Sequence, residues 1–195
     1  KKTINTYNRL AKEYDQETTD FWDKFPQDFF YEFIKLVQGR VLDVGSGPGR
    51  DGLILQNEGL DVVCLDASEA MIKMSSEKGL ESVLGDFNNL PFAGEFFDGV
   101  WAYTSLLHVP KSEIQKSLKE IYRVLKVGGI LGLGLIEGNT EGYRESSGVG
   151  LPRWFSFYMK EEVENLLKNN GFEILYFDIF KPGSKNYLNF IVRKI

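Results

Sequence analysis

The spacing of apolar residues predicts two helices before the first strand. The first has aromatic and aliphatic residues at positions i, i+3, i+4 and i+7, namely Tyr7, Leu10, Ala11 and Tyr14. The second begins after Pro26, carries apolar residues at helical spacing from 29 to 37, and ends near Gly39. Because both helices precede the strands, we expect them to form an N-terminal helical cap.

Short apolar runs then alternate with helical stripes. Strands are predicted at 40–44, 61–65, 81–84, 96–102 and 130–136, with helices at about 49–58, 68–77 and 112–125. Ser112 and Gln115 have the spacing of a capping box at the head of the last of these helices. Alternation of this kind is typical of an α/β fold, a parallel sheet with helices on both faces.

The C-terminal part of the chain has the pattern of a hairpin. A helix that ends at Gly171 is followed by two aromatic-rich strands, 172–180 and 187–194, and the Lys-Pro-Gly-Ser between them is a turn signal. A short turn joins antiparallel neighbours, so the last strand is expected to run against the others. Before that helix, the Gly- and Ser-rich segment 137–152 is long for a connection, and we expect a structureless lid there.

The composition predicts one globular domain. The chain has 195 residues, 43% of them hydrophobic and 14% aromatic, which is ordinary for a single domain. No apolar run of the ~18 residues that span a bilayer and no signal-peptide pattern is present, so we expect a soluble, cytoplasmic monomer or homodimer without a membrane partner. The net charge of −5 disfavours nucleic acid as a partner. Cys64, the one cysteine, is expected to fill the core, and no metal site is predicted.

The turn after the first strand carries the clearest chemical signal. Asp43 is followed by three alternating glycines, Gly45, Gly47 and Gly49, and Arg50 stands where the dinucleotide fingerprint needs its third glycine. The phosphate-loop pattern is absent from this turn as well. Glycine lets a ligand approach the backbone, and an acid before the turn repels pyrophosphate but attracts an ammonium group. We therefore expect a small-molecule ligand that is not a dinucleotide.

Asp66 adds a second acid to this site. It ends the second strand, about 20 residues after Gly45, where the acid of a doubly wound fold accepts hydrogen bonds from ribose hydroxyls. The ligand is therefore expected to contain a ribose. The alternative role, a helix cap, is filled better by Ser68.

Five segments in order resemble the motifs of the class I S-adenosylmethionine-dependent methyltransferases. They read VLDVGSGPGRDG, VVCLDASEAMI, LGDFNNLPF, FDGVWAYTSLLHV and LKEIYRVLKVGGIL, within residues 38–136. The resemblance implies a Rossmann-like sheet of seven strands in the order 3-2-1-4-5-7-6, with the seventh antiparallel. It also implies S-adenosylmethionine as cofactor and in-line methyl transfer to an oxygen, nitrogen, sulfur or carbon atom of a small-molecule acceptor. The expected organisation is one domain, 1–195, with a cap at 1–38, a cofactor-binding core at 39–136, and a loop, helix and hairpin at 137–195.

The same resemblance assigns cofactor contacts to residues at the strand ends. Asp43 is expected near the methionine ammonium, Asp66 at the ribose, and Asp86 at the adenine. The other expected contacts are Gly45, Gly47, Gly49, Ala67, Met71, Phe87 and Tyr103. Alternatives remain open, since Asp43 could be satisfied by turn amides, Met71 could be core, and Asp86 could be a turn residue.

His108 is the one histidine of the chain and, with Tyr103, a candidate catalytic residue. A histidine is the default general base near neutral pH, yet a lone histidine in an apolar stretch is more often structural. For the acceptor pocket we expect four aromatic residues, Tyr7, Tyr14, Trp154 and Tyr158, although the last two could instead dock the following helix. Two other functions stay open, a tRNA-base methyltransferase and a noncatalytic S-adenosylmethionine-binding protein.

Overall fold

The computed structural model describes residues 1–24, 27–145 and 151–195. Its helices are α1 Lys2–Thr18, α2 Phe21–Lys24, α3 Asp28–Leu36, α4 Arg50–Asn57, α5 Glu69–Glu77, α6 Ile114–Val124 and α7 Lys160–Asn169. Its strands are β1 Arg40–Val44, β2 Asp61–Asp66, β3 Glu81–Leu84, β4 Phe97–Tyr103, β5 Leu125–Ile136, β6 Glu141–Glu145, β7 Pro152–Ser156, β8 Phe172–Phe180 and β9 Tyr187–Lys194. The predicted helices and strands thus form close to their expected bounds, with the addition of α2, β6 and β7.

Seven strands make one sheet in the order β3-β2-β1-β4-β5-β9-β8. The pairs from β3 to β5 are parallel, and β9 runs antiparallel to both β5 and β8. Counting the strands of this sheet alone gives 3-2-1-4-5-7-6, so the predicted fold and its antiparallel last strand are confirmed. The order reverses between β1 and β4, which is where α/β folds place their ligands.

The sheet is buried on both faces because successive side chains of a strand point to opposite sides. In β4, Val100 and Ala102 pack with α6 and α7 on one face, and Trp101 and Tyr103 pack with α3 on the other. Gly99 allows this close packing, since a Cβ there would lie 2.9 Å from a methyl group of Val37. The core therefore fixes the end of β4 from both sides.

Two local predictions were wrong. Helix α6 begins at Ile114, and Ser112 does not cap it; the amides of Glu113 and Ile114 instead donate to the carbonyl of Pro110 at 2.8 and 3.1 Å. The segment 137–152 is not structureless, because β6 and β7 pair as an antiparallel two-stranded sheet. Residues 146–150 of the predicted lid lie outside the described part of the chain.

In the described ranges, no helix combines the length and the apolar character that crossing a membrane requires.

Candidate functional site

A cavity of about 400 Å³ opens at the carboxyl ends of β1, β2 and β4, beneath α1 and β7. Its volume falls within the range of small-molecule sites. The sequence-predicted residues that line it are Tyr7, Tyr14, Asp43, Gly45, Gly47, Asp66, Ala67, Met71, Asp86, Phe87, Tyr103, His108 and Trp154. Residues far apart in the sequence are thus brought together at one edge of the sheet.

The glycine turn shapes the floor of this cavity. Gly45 has φ of +71°, and a Cβ there would overlap the Ser105 side chain. Gly47 faces the open side, since the nearest atom to a Cβ would be Tyr14 Cε1 at 3.7 Å. Gly49 does not line the cavity; it precedes α4 with φ of +83° and packs against Leu80. Its role in the turn is therefore conformational.

Two buried carboxylates lie at the floor, and their hydrogen bonding differs. Asp51 accepts from the indole Nε1 of Trp22 and of Trp101, at 2.8 and 2.9 Å. Asp43 is only 3% exposed, and its Oδ2 has no hydrogen-bond partner among the described residues. Burial, with Asp51 nearby, raises the pKa of Asp43 well above its usual value. A cation from a ligand would satisfy this orphaned oxygen.

Arg50 supplies a positive charge beside the acids, and the sequence analysis did not assign it to the site. Its Nε donates to Asp51 Oδ1 at 2.7 Å, and its guanidinium lies 4.1 Å from the ring centroid of Phe21. Arg50 lines the cavity, so this end can hold a cation at Asp43 and an anion at Arg50. The signal that could have revealed it was Arg50 in the place of the fingerprint glycine.

Asp66 is held by backbone amides at the end of β2. Its Oδ2 accepts from Gly47 N at 3.0 Å and its Oδ1 from Ser68 N at 2.8 Å. Burial raises the pKa of Asp66 above its usual value, and these amide hydrogen bonds offset part of that increase. An ionised carboxylate has about four lone-pair sites, so two remain for hydroxyl donors in the cavity.

Asp86 lies in a turn and also on the wall of the cavity. Its Oδ1 accepts from Asn88 N at 2.8 Å, which is a turn contact, and its side chain also lines the cavity. Phe87 and Met71 line the same end; Met71 is only 1% exposed, so it belongs to the core as well. This end of the cavity thus combines the apolar side chains of Phe87 and Met71 with the carboxylate of Asp86.

A chain of hydrogen bonds joins α1, β7 and the segment after β4 at the wall of the cavity. The carbonyl of Trp154 lies 2.5 Å from His108 Nδ1, and the Tyr7 hydroxyl lies 2.7 Å from Nε2. Arg153 Nη1 donates to the same hydroxyl at 2.9 Å. Burial, with a smaller effect of Arg153, lowers the pKa of His108 to about 4. His108 is therefore neutral at pH 7, with its proton on Nδ1, since a carbonyl can only accept.

Helix α1 is held over the cavity chiefly by polar contacts. Thr3 Oγ1 accepts from Trp154 N at 2.9 Å, and Thr6 Oγ1 donates to Pro152 O at 2.8 Å. On the other side Asn8 Oδ1 accepts from Ser68 Oγ at 2.7 Å. The buried residues of α1 are Thr6 and Ala11 alone. An element with few buried apolar groups, held chiefly by polar contacts, is typical of one that can open.

Two predicted residues have surroundings that differ from the expectation. Tyr158 is fully buried in the core and does not line the cavity; Lys111 Nζ lies 4.8 Å from its ring centroid. Tyr103 lines the cavity but is stacked on Trp101 and is 6% exposed. Burial raises the pKa of Tyr103, which favours its protonated form.

Residues 42–133 match the model of a family described as a methyltransferase domain. A curated relative, the sterol 24-C-methyltransferase of Clavispora lusitaniae, is 29% identical over 222 residues, which cover 90% of this chain and 57% of the relative. This chain thus spans little more than half of that relative's length.

Solved structures share the fold. The DhpI complex with S-adenosylhomocysteine superposes with a TM-score of 0.80 at 20% identity, covering 99% of this chain and 95% of that one. The 1,6-didemethyltoxoflavin-N1-methyltransferase of Burkholderia thailandensis gives a TM-score of 0.70 at 18% identity, covering 95% and 87%. At these identities the likeness is one of fold.

Proposed function

We propose that this chain, which belongs to the class I S-adenosylmethionine-dependent methyltransferase family, transfers the methyl group of S-adenosylmethionine to a small-molecule acceptor. The observation that carries the proposal is the buried, unpartnered Oδ2 of Asp43 in the cavity at the switch point of the sheet. A ligand with an ammonium group, a carboxylate and a ribose matches the acids and the arginine of this cavity.

The residues present fit the cofactor from end to end. Asp43 would hold the ammonium group and Arg50 the carboxylate of its methionine portion. Asp66 would accept from the ribose hydroxyls, and Asp86 with Phe87 would bind the adenine. Because Gly47 has no side chain, the ligand can lie directly against the backbone of the glycine turn. The two charged groups of the methionine portion thus each meet an opposite charge in this chain.

The cofactor, when bound, supplies a methyl group already activated on a sulfonium, so the chain has mainly to position the acceptor in line with it. Tyr7 and Trp154 cover the end of the cavity where the acceptor would lie, and Ile4 adds an apolar wall. Such a closed pocket excludes water and orders a small, partly apolar acceptor. The relative from Clavispora lusitaniae is named for a sterol acceptor, whereas the cavity of about 400 Å³ in this chain, which must also hold the cofactor, favours a smaller acceptor.

The experiment is an assay for S-adenosylhomocysteine with a panel of small acceptors, each carrying one alcohol, phenol, alkylamine, thiol or carboxylate. Formation of S-adenosylhomocysteine that depends on one acceptor class supports the proposal. The Asp43→Asn variant is the control, and it should not form S-adenosylhomocysteine. Tight binding of S-adenosylmethionine with no turnover for any acceptor, including a metabolite extract, would favour a noncatalytic binding protein. Turnover with transfer RNA alone would favour the tRNA-base alternative, which the net charge of −5 disfavours.

We also propose the organisation that accompanies this activity. The chain would act as a single domain over 1–195, as a monomer or homodimer in the cytoplasm. Residues 39–136 would bind the cofactor, and 1–38 together with the β6–β7 hairpin would form the acceptor pocket. The polar contacts of α1 with β7 support this division.

A further inference from the structure

Both ring nitrogens of His108 are already occupied. Nδ1 donates to the carbonyl of Trp154 at 2.5 Å, and Nε2 accepts from the hydroxyl of Tyr7 at 2.7 Å. A direct proton transfer from an acceptor to Nε2 would first require Tyr7 to leave. In the closed arrangement of α1 and β7, His108 is therefore not the group that meets the acceptor.

The oxygen of Tyr7 still has room for one more hydrogen bond. It donates its proton to His108 Nε2 and accepts one hydrogen bond from Arg153 Nη1 at 2.9 Å. A hydroxyl oxygen has two lone pairs, Arg153 is the one donor to it among the described residues, and the Tyr7 side chain lines the cavity. The ring is fixed by edge contacts with Tyr14 and His108, at 5.3 and 5.5 Å between centroids.

We propose that Tyr7 is the catalytic residue that takes the acceptor's proton, while passing its own proton to His108. The proposal rests on the methyl transfer proposed above. As the acceptor atom bonds to the methyl carbon, the carbon–sulfur bond breaks with its electron pair on sulfur. The acceptor's proton moves to Tyr7 Oη, and the former Tyr7 proton moves to His108 Nε2. The products are the methylated acceptor, the neutral thioether and an imidazolium, so charge and atoms balance.

The charged groups around Tyr7 and His108 favour proton transfer between them only while the methyl group is being transferred. Arg153 lies with its guanidinium 5.3 Å from the Tyr7 ring centroid, where it stabilises negative charge that develops on Oη. It disfavours the imidazolium, as does burial. Burial is the main effect that opposes a phenolate on Tyr7, and the nearby Tyr14 and Asp66 oppose it as well. The acceptor proton becomes strongly acidic as the new bond forms, and the positive charge on sulfur disappears, so a weak base then suffices.

The relay also limits the acceptor class. The Tyr7 hydroxyl is directed at His108 Nε2, so the relay operates only on an acceptor that carries a proton on its reacting atom, such as a hydroxyl or an aromatic N–H group.

The test uses the fact that the chain has one histidine. Nitrogen-15 labelling of histidine therefore gives a single imidazole NMR spectrum without assignment. In the complex with S-adenosylhomocysteine at pH 7, we expect a neutral ring with its proton on Nδ1 and a hydrogen-bonded, unprotonated Nε2. A proton on Nε2 in this complex overturns the proposal, whether or not an acceptor is known.

The kinetic part uses the acceptor identified by the panel. Tyr7→Phe keeps the ring but removes the oxygen, so kcat should fall about 10²- to 10⁴-fold while the KM for S-adenosylmethionine stays within about twofold. The decrease in kcat of Tyr7→Phe should become about tenfold smaller with each unit of rising pH, because the acceptor then loses its proton to the solvent. The control Tyr31→Phe removes an exposed phenol on α3 and should leave kcat unchanged. An unchanged kcat in Tyr7→Phe, or a loss independent of pH, contradicts the relay.

These outcomes separate the two proposals. If the wild-type protein transfers no methyl group to any acceptor, the proposed function fails, and the NMR result still decides whether Nε2 can accept a proton. If the wild-type protein is active and Tyr7→Phe is as active, the function stands and the relay fails.

Discussion

The indole Nε1 of Trp22 donates a hydrogen bond of 2.8 Å to Oδ1 of Asp51. Trp22 belongs to α2 of the N-terminal cap, and Asp51 lies in the first turn of α4, so this bond ties the cap to the glycine turn. The second oxygen of Asp51 accepts from Trp101 at 2.9 Å. Asp51 is thus satisfied within the protein, whereas Oδ2 of Asp43 beside it has no hydrogen-bond partner among the described residues.

Trp22→Phe should destabilise the fold. The change removes one donor from a carboxylate that is only 5% exposed, and an unsatisfied buried acceptor costs about 1–3 kcal/mol. Because Arg50 also donates to the same oxygen, we expect a decrease in the free energy of unfolding near the lower end of that range. Urea denaturation followed by circular dichroism measures it. A midpoint equal to that of the wild type would show that this bond is not a stabilising contact.

Asp43→Asn should stabilise the empty protein and weaken cofactor binding. Burial raises the pKa of Asp43 in the folded state, so the folded protein holds a proton that the unfolded chain loses above its ordinary pKa of 3.8. Stability from this group therefore falls as pH rises above that value. Thermal melts from about pH 4 to 7 should show a flatter pH dependence and a higher Tm for Asp43→Asn at pH 7. A lower Tm with unchanged affinity for S-adenosylhomocysteine would contradict the assigned role.

Asp66→Asn should weaken binding of S-adenosylhomocysteine about ten- to a hundredfold, because a hydrogen bond to a charged acceptor contributes about 1.5–3 kcal/mol. Asn keeps the shape of the side chain and one acceptor oxygen for the backbone amides. The control is Asp61→Asn at the exposed start of the same strand, outside the cavity. Calorimetry should separate the two variants. If both variants bound S-adenosylhomocysteine with equal affinity, Asp66 would not be a contact of the ribose.

Deleting residues 1–18 should abolish methyl transfer while the sheet still folds. The buried residues of this helix are Thr6 and Ala11 alone, so its removal exposes little core but opens the cavity to water. A double variant, Thr3→Val with Thr6→Val, tests the same idea in the full chain by removing two contacts to β7. It should raise the KM for the acceptor more than that for S-adenosylmethionine. Full activity in the truncated chain would rule out a lid.

The sheet order and the cofactor turn could be predicted from the sequence because their signals are local. The apolar run before Asp43, the alternating glycines and the spacing to Asp66 lie within one βαβ unit, and each strand end carries its own residue to the cavity. Ser112 was misleading because the first amides of the helix have another local acceptor, the carbonyl of Pro110, which competes with a side-chain cap.

The contacts that define the acceptor end could not be predicted in the same way. Tyr7 and His108 are 101 positions apart, and no periodicity in either segment links them. The strand β6 reads Glu-Gly-Tyr-Arg-Glu and is mostly exposed, so it lacks the apolar alternation that indicates a strand. Tyr158 and Trp154 lie in the same aromatic run, yet one faces the core and the other the cavity, a difference that depends on how β7 docks.

The most direct test of the central claim is a calorimetric titration of the wild-type chain with S-adenosylhomocysteine, beside a matched titration with a nicotinamide dinucleotide. We expect saturable one-to-one binding of S-adenosylhomocysteine, a Tm that rises with its concentration, and neither effect from the dinucleotide, because a ligand stabilises only the state that it binds. Binding of the dinucleotide with none of S-adenosylhomocysteine would contradict the account.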